Sequence, residues 1–116
     1  MKVTAVKTIL LARDLRRALD FYETVFAFQL RPTRDHWCEM EWGDAILAIH
    51  GGHDGRENRV SLSIDVDDIQ GAAAKVQLNG GHMVLSPIQR EGEPFLYAEF
   101  ADTEGNVVMM TQYVSQ

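Results

Sequence analysis

Four histidines, one cysteine and a set of carboxylates interleaved with aromatic residues are what this chain could do chemistry with. His50 closes the apolar run Ala45–Ile49 and is followed by two glycines. A side chain that titrates near neutrality, placed there, can move a proton. His53 follows three residues on and could pair with it on a metal, but no third ligand is evident in the stretch. His36, His53 and His82 stand among polar residues and are expected at the surface. Glu39 and Glu41 alternate with Cys38 and Met40, and Glu99 stands two residues after Tyr97, so carboxylates and aromatics share strand faces. Cys38 is the only cysteine, which excludes an internal disulfide and a cysteine-built zinc site.

These residues need a scaffold, and 116 residues with 46% hydrophobic content suit one domain with one core. The net charge of −6 leaves no basic stripe for nucleic acid. Arg13, Arg16 and Arg17 are the nearest thing to one and read as a solvated helix face. No apolar run approaches the roughly 20 residues of a membrane span. The opening MKVTAVKTILLARD lacks a signal-peptide pattern, so a cytoplasmic protein is expected.

The stretch Lys7–Leu30 sets the organisation. A strand is expected over Val3–Ala12 and, behind an Asp14 N-cap, a helix over Leu15–Phe26 whose Leu15, Ala18, Leu19, Tyr22, Val25 and Phe26 form one apolar stripe. Strands at Phe28–Arg31, His36–Trp42 and Ala45–His50 follow, the last two joined by a Gly43-Asp44 turn. The polar stretch 51–58 is the linker between a module of about 1–52 and one of about 58–116. The pattern then repeats: a strand at Val60–Val66, a helix capped by Asp67 or Asp68 that buries Ile69, Ala72, Ala73 and Val76, an Asn79-Gly80-Gly81 end, and strands at His82–Pro87, Phe95–Ala101 and Val107–Val114. The fold class expected is α+β: two βαβββ modules forming a concave, partly open sheet with helices outside. Such a surface suits a small ligand.

Ala12-Arg13-Asp14-Leu15, Ala18-Leu19-Asp20-Phe21-Tyr22, Asp65-Val66-Asp67-Asp68, Asn79-Gly80-Gly81 and Phe100–Asn106 together resemble the vicinal oxygen chelate superfamily, which includes glyoxalase I, extradiol dioxygenases, fosfomycin-modifying enzymes and bleomycin-resistance proteins. Thr103 and Glu104 depart from that family's usual turn. The resemblance implies up to four inward His or Glu metal ligands. Counted from the motifs, those positions fall on Lys7, Ala48, Ser61 and Met109, none of which is a usual divalent-metal ligand, so neither a metal nor another cofactor is expected. It also implies a homodimer, whose partner would cover exposed sheet edges.

Strand alternation assigns the inward face: Lys7, Ile9 and Leu11; Trp37, Glu39 and Glu41; Ile46, Ala48 and His50; Ser61, Ser63 and Asp65; Phe95, Tyr97 and Glu99; Val107, Met109, Thr111 and Tyr113. Cys38, Met40 and Trp42, Leu62, Ile64 and Val66, and Leu96, Ala98 and Phe100 are expected under the helices. The residues expected to hold a ligand are Lys7, Trp37, Glu39, His50, Ser61, Tyr97, Glu99, Met109 and Tyr113. Lys7, if buried, is expected to pair with Glu99. Carboxylates opposed by Lys7 alone suit a cationic, aromatic small molecule. Three readings follow: a metal-independent binding protein similar to the bleomycin-resistance branch; a lyase, isomerase or dioxygenase-like enzyme moving protons through His50, Glu99 or Tyr97; and a domain in which only the dimer interface matters.

Overall fold

The computed structural model describes residues 1–114. The first module runs β1 (Thr8–Leu11), α1 (Leu15–Phe26), β2 (Gln29–Leu30), β3 (Trp37–Trp42) and β4 (Ala45–His50). The second runs β5 (Asn58–Asp65), α2 (Ile69–Leu78), β6 (His82–Gln89), β7 (Phe95–Ala101) and β8 (Asn106–Tyr113). Asp14 accepts the backbone N–H of Arg17 at 3.1 Å and starts α1; Asp68 accepts that of Gly71 at 3.0 Å and starts α2. Ala27 ends α1 in the left-handed region at φ 57°, and Gly80 follows α2 at φ 92°, where glycine costs least.

Each module forms a four-stranded mixed sheet, in the orders β1-β4-β3-β2 and β5-β8-β7-β6. The outer strand of each order, β1 and β5, lie beside one another without ladder hydrogen bonds between them. One apolar core serves both modules, running from Leu10, Met40 and Ile49 through Phe21 and Tyr22 to Phe100, Val108 and Met110. Burying each such side chain is worth about 1.5–3 kcal/mol. Phe21 of α1 lies 5.9 Å from Phe100 of β7, so the two modules of one chain pack on each other.

The seam is closed by the turn between β7 and β8. Asn106 donates from Nδ2 to the Leu11 carbonyl at 2.7 Å and to Asp102 at 2.8 Å. Its Oδ1 accepts the Leu11 N–H at 3.1 Å and Asn58 Nδ2 at 2.8 Å. All four bonds of the carboxamide are made, and Asn106 stands in for the missing ladder at the end of β1. Tyr22 donates to Asp102 at 2.7 Å. Glu104, whose side chain is fully buried, accepts the backbone N–H groups of Arg13 and Asp14 and the Arg17 guanidinium.

The alternation holds: Cys38, Met40, Ala98 and Phe100 are buried, and Leu62, Ile64, Val66 and Leu96 pack against the core. Three expectations need correction. The first strand begins at Thr8, and residues 1–6 are exposed and outside any strand. Trp42, expected in the core, is 69% exposed: alternation gives it the helix face, but it stands at the hairpin end of β3, which the helix layer leaves open. The strand β6, expected to stop at Pro87, runs to Gln89 and carries register shifts that turn both Leu85 and Ile88 toward the side of Glu99 and Tyr97.

Candidate functional site

The face turned away from the helices is built from the alternate residues of both sheets. On the first sheet, Trp37, Glu39 and Glu41 of β3 stand beside His50, Ala48 and Ile46 of β4. Lys7, one residue before β1, reaches Glu39 with Nζ at 2.5 Å, and its ammonium lies 5.7 Å from the centre of the Trp37 ring. Trp37 Nε1 donates to the same carboxylate at 2.8 Å, and Arg31 approaches it at 3.5 Å and Glu41 at 3.8 Å. The hydrogen bonds from Lys7 and then Trp37 hold the Glu39 carboxyl below its ordinary range. At the end of β4, His50 Nδ1 and His53 Nε2 lie 2.9 Å apart, one ring donating to the other, with His50 6.2 Å from Trp37.

On the second sheet Tyr97 donates to Glu99 at 2.5 Å, Arg59 approaches Glu99 at 3.4 Å, and Arg90 stacks over the Tyr97 ring at 4.9 Å. Partial burial and then the bond to Glu99 push the Tyr97 hydroxyl up, while that same bond holds Glu99 down. Phe95 meets Tyr113 edge to face at 5.7 Å, and Thr111 donates to Asp65. Among the described residues no hydrogen bond or ion pair joins the Glu39 group to the Glu99 group.

The structure therefore gathers the expected ligand residues into two aromatic–carboxylate groups on one open face; Ser61 of β5 is exposed, and Met109 of β8 is half-buried opposite Glu99. Lys7 pairs with Glu39 rather than Glu99. The carboxylates are not opposed by Lys7 alone: Arg31, Arg59 and Arg90 join it; the strand expected from sequence began at Val60, one residue after Arg59, no inward face was assigned to the strand ending at Arg31, and Arg90 follows β6. The available signal was their type, since a long basic side chain at the end of a strand can reach carboxylates on its neighbour. Two clefts lie around the linker and the start of α1: about 620 Å³ between Arg13, Asp35, His36 and Gly51, and about 450 Å³ between Leu11, His53, Asn58 and Glu104.

The sequence profile of a family described as a glyoxalase-like domain matches residues 7–111. The chain belongs to that family. It is thereby a member of the vicinal oxygen chelate superfamily, and its fold is shared with solved members. A glyoxalase/bleomycin resistance protein/dioxygenase family enzyme from Burkholderia phytofirmans superposes with a TM-score of 0.77 at 17% identity, over 93% of this chain and 97% of that one. The fosfomycin resistance protein FosX from Mesorhizobium loti gives 0.72 at 21% identity, over 97% and 93%. A glyoxalase I variant from Zea mays gives 0.69 at 22% identity, over 90% of this chain and 44% of that longer one. The sequence matches none of the curated proteins.

The glyoxalase-like fold raises the question of a metal, and the residues at the four implied positions do not fit one. Lys7 brings an ammonium, which has no lone pair and is bonded to Glu39. Ala48 is a fully buried methyl between Ile9 and Glu39. Ser61 and Met109 are weak donors. Among the described residues no three His, Cys, Asp or Glu side chains come together as a metal set; His50 and His53 make only a pair.

Proposed function

We propose that this glyoxalase-like protein is a metal-independent small-molecule binding protein, similar to the bleomycin-resistance branch, with its ligand on the open sheet face. The observation that carries the reading is the pairing of an unfit donor set at Lys7, Ala48, Ser61 and Met109 with the aromatic–carboxylate groups around Trp37 and Tyr97. Flat rings stack on Trp37, Tyr97, Phe95 or Tyr113. A cationic group on the ligand must compete with Lys7 for Glu39 and with Arg59 for Glu99, so charge selectivity is smaller than uncompensated carboxylates would give. The ligand class is a planar aromatic molecule, cationic rather than anionic. The chain acts as a homodimer whose partner covers exposed sheet edges, and it works in the cytoplasm.

The enzyme reading is the weaker one. Its best support is the Tyr97–Glu99 pair and the His50–His53 pair, each within hydrogen-bond reach. At neutral pH, however, Glu99 is held ionised and Tyr97 protonated, which makes the first a feeble base and the second a feeble acid. Equilibrium dialysis tests the proposal, with the cationic dye proflavine against anilinonaphthalene sulfonate. Tighter retention of proflavine, falling with added salt, supports it. Tighter retention of the sulfonate would make Lys7 the anchor of an anionic ligand and overturn the charge assignment.

A further inference from the structure

The two modules carry the same constellation on the open face. Both sheets have one strand order, so β3 corresponds to β7 and β4 to β8. Trp37 and Glu39 lie opposite His50 and Ala48; Tyr97 and Glu99 lie opposite Thr111 and Met109, the matching places of the second sheet. In each module the ring donates to the carboxylate two residues on, at 2.8 Å from Trp37 and 2.5 Å from Tyr97. In each a basic residue at the start of the first strand reaches that carboxylate, Lys7 at 2.5 Å and Arg59 at 3.4 Å. In each an arginine directly follows the second strand: Arg31 approaches Glu39, and Arg90 covers the Tyr97 ring. Lys7 lies over Trp37 as well, so both rings carry a cation on one side.

The floor between the two groups carries no charge. Across the ladders of the first sheet, Glu39 is followed by Ala48 and Ile9; across those of the second, Glu99 is followed by Met109 and Ser63. Cross-strand partners share a face, so these side chains line one path between the carboxylates. Ile9 stands on it 49% exposed, beside the buried Ala48 methyl. The path crosses β4, β1, β5 and β8, which at one strand spacing each places β3 and β7 roughly 24 Å apart along the sheets. We infer that the ligand of this face has two planar cationic heads joined by an apolar spacer, one head on each module and the spacer over Ile9 and Met109. The inference rests on the binding reading above and gives the ligand its shape. Each head takes the carboxylate that Lys7 or Arg59 holds, and both basic side chains are exposed enough to turn to water. The two carboxylates are themselves largely shielded, so their attraction for a cation is less screened than on an open surface. Joining the heads makes the second contact intramolecular, which raises affinity without any new contact.

The test is equilibrium dialysis of the full chain with dequalinium, two aminoquinolinium rings on a decamethylene chain, against the single-ring N-hexyl half of that molecule. One dequalinium should bind per chain, about a hundredfold tighter than the half-molecule. Glu39→Gln and Glu99→Gln should each weaken dequalinium binding about tenfold or more, since each removes the charge under one head. Both substitutions keep the side-chain shape, and circular dichroism checks that the variants fold. Dequalinium bound no tighter than its half-molecule, or bound at two per chain, would overturn the bridging ligand while leaving single-ring binding in place. Tight binding that only one of the two substitutions weakens, or that neither does, would put a head off the paired groups and overturn it as well. A chain that retains neither the half-molecule nor proflavine would overturn the binding reading itself, so failure here and failure there are told apart.

Discussion

Glu104→Ala should be among the most damaging single substitutions in the chain, although Glu104 is a charged residue in a turn. Its buried carboxylate accepts the backbone N–H groups of Arg13 and Asp14 at 3.0 and 2.9 Å, Thr103 Oγ1 at 2.7 Å, and Arg17 Nε and Nη2 at 2.7 and 3.1 Å. Arg17 is half exposed, so water can replace the carboxylate around it. The two backbone N–H groups have no such recourse, and each orphaned donor costs about 1–3 kcal/mol. The loss should therefore be about 3–5 kcal/mol. Glu104→Gln keeps one acceptor oxygen and should lose about 1–2 kcal/mol. Urea unfolding at neutral pH, followed by circular dichroism with the slope compared between variants, measures both. The pH dependence separates the charge from the shape. Burial pushes the Glu104 carboxyl up, but the bonds from Arg17 and Thr103 outweigh it and hold the group below its ordinary 4.5. As pH falls the unfolded chain takes up this proton first, so the stability is complete above about pH 4.5 and is lost as pH falls through the lower folded value. Asp102 works the other way: burial raises it above 3.8, the native state takes its proton more readily, and its contribution falls as pH rises through the folded value. Glu104→Gln should thus flatten the acid limb of the stability curve. Glu104→Ala unfolding within about 0.5 kcal/mol of the parent would refute the reasoning and detach the turn from the joining of the modules.

Met40→Asp, which buries an unpaired carboxylate at a fully buried site, should cost several kcal/mol, whereas Glu39→Ala should cost about 1 kcal/mol because Lys7 and Arg31 remain solvated; the reverse order in urea melts would shift the strand register by one. Burial, with Glu39 nearby, pushes the Cys38 thiol up to about 11, so iodoacetamide at pH 8 should leave it unmodified in the native protein and label it in urea; native labelling would place Cys38 outside the core. Elemental analysis of protein purified without chelator should find no stoichiometric zinc, nickel or iron, and such a metal abolished by substitution at Lys7 or Ser61 would contradict the reading of the donor set.

Much of the fold was legible because two periodicities dominate it. The stripe Leu15–Phe26 and the alternation Cys38-Met40 against Trp37-Glu39 have physical causes local to a few residues, and α1, β4 and β7 fall where they were expected. What spans the chain was not legible. Asp102, Glu104 and Asn106 were visible only as a turn motif, because their partners Tyr22, Arg17 and Leu11 lie 80 to 95 residues away. The register shifts of β6 broke the period of two, which hid Leu85 and Ile88. Trp42 shows the limit of alternation: it tells which face a residue takes, not whether another element covers it. The site was half legible for the same reason. Trp37, Glu39, Tyr97 and Glu99 follow from strand parity, whereas Arg31, Arg59 and Arg90 stand at or just beyond strand ends, and the carboxylate or ring each meets is fixed by strand pairing over long sequence distances.

The central claim is that the open face binds a planar molecule without a metal. A Trp42→Phe protein leaves Trp37 as the only tryptophan, and titrating it with proflavine in excess EDTA reads that face directly. The account predicts saturable quenching of Trp37 that is unchanged when zinc or nickel replaces EDTA, weakens with salt and weakens again in Glu99→Gln. Quenching that appears only when a divalent metal is restored, or that never saturates, would contradict it.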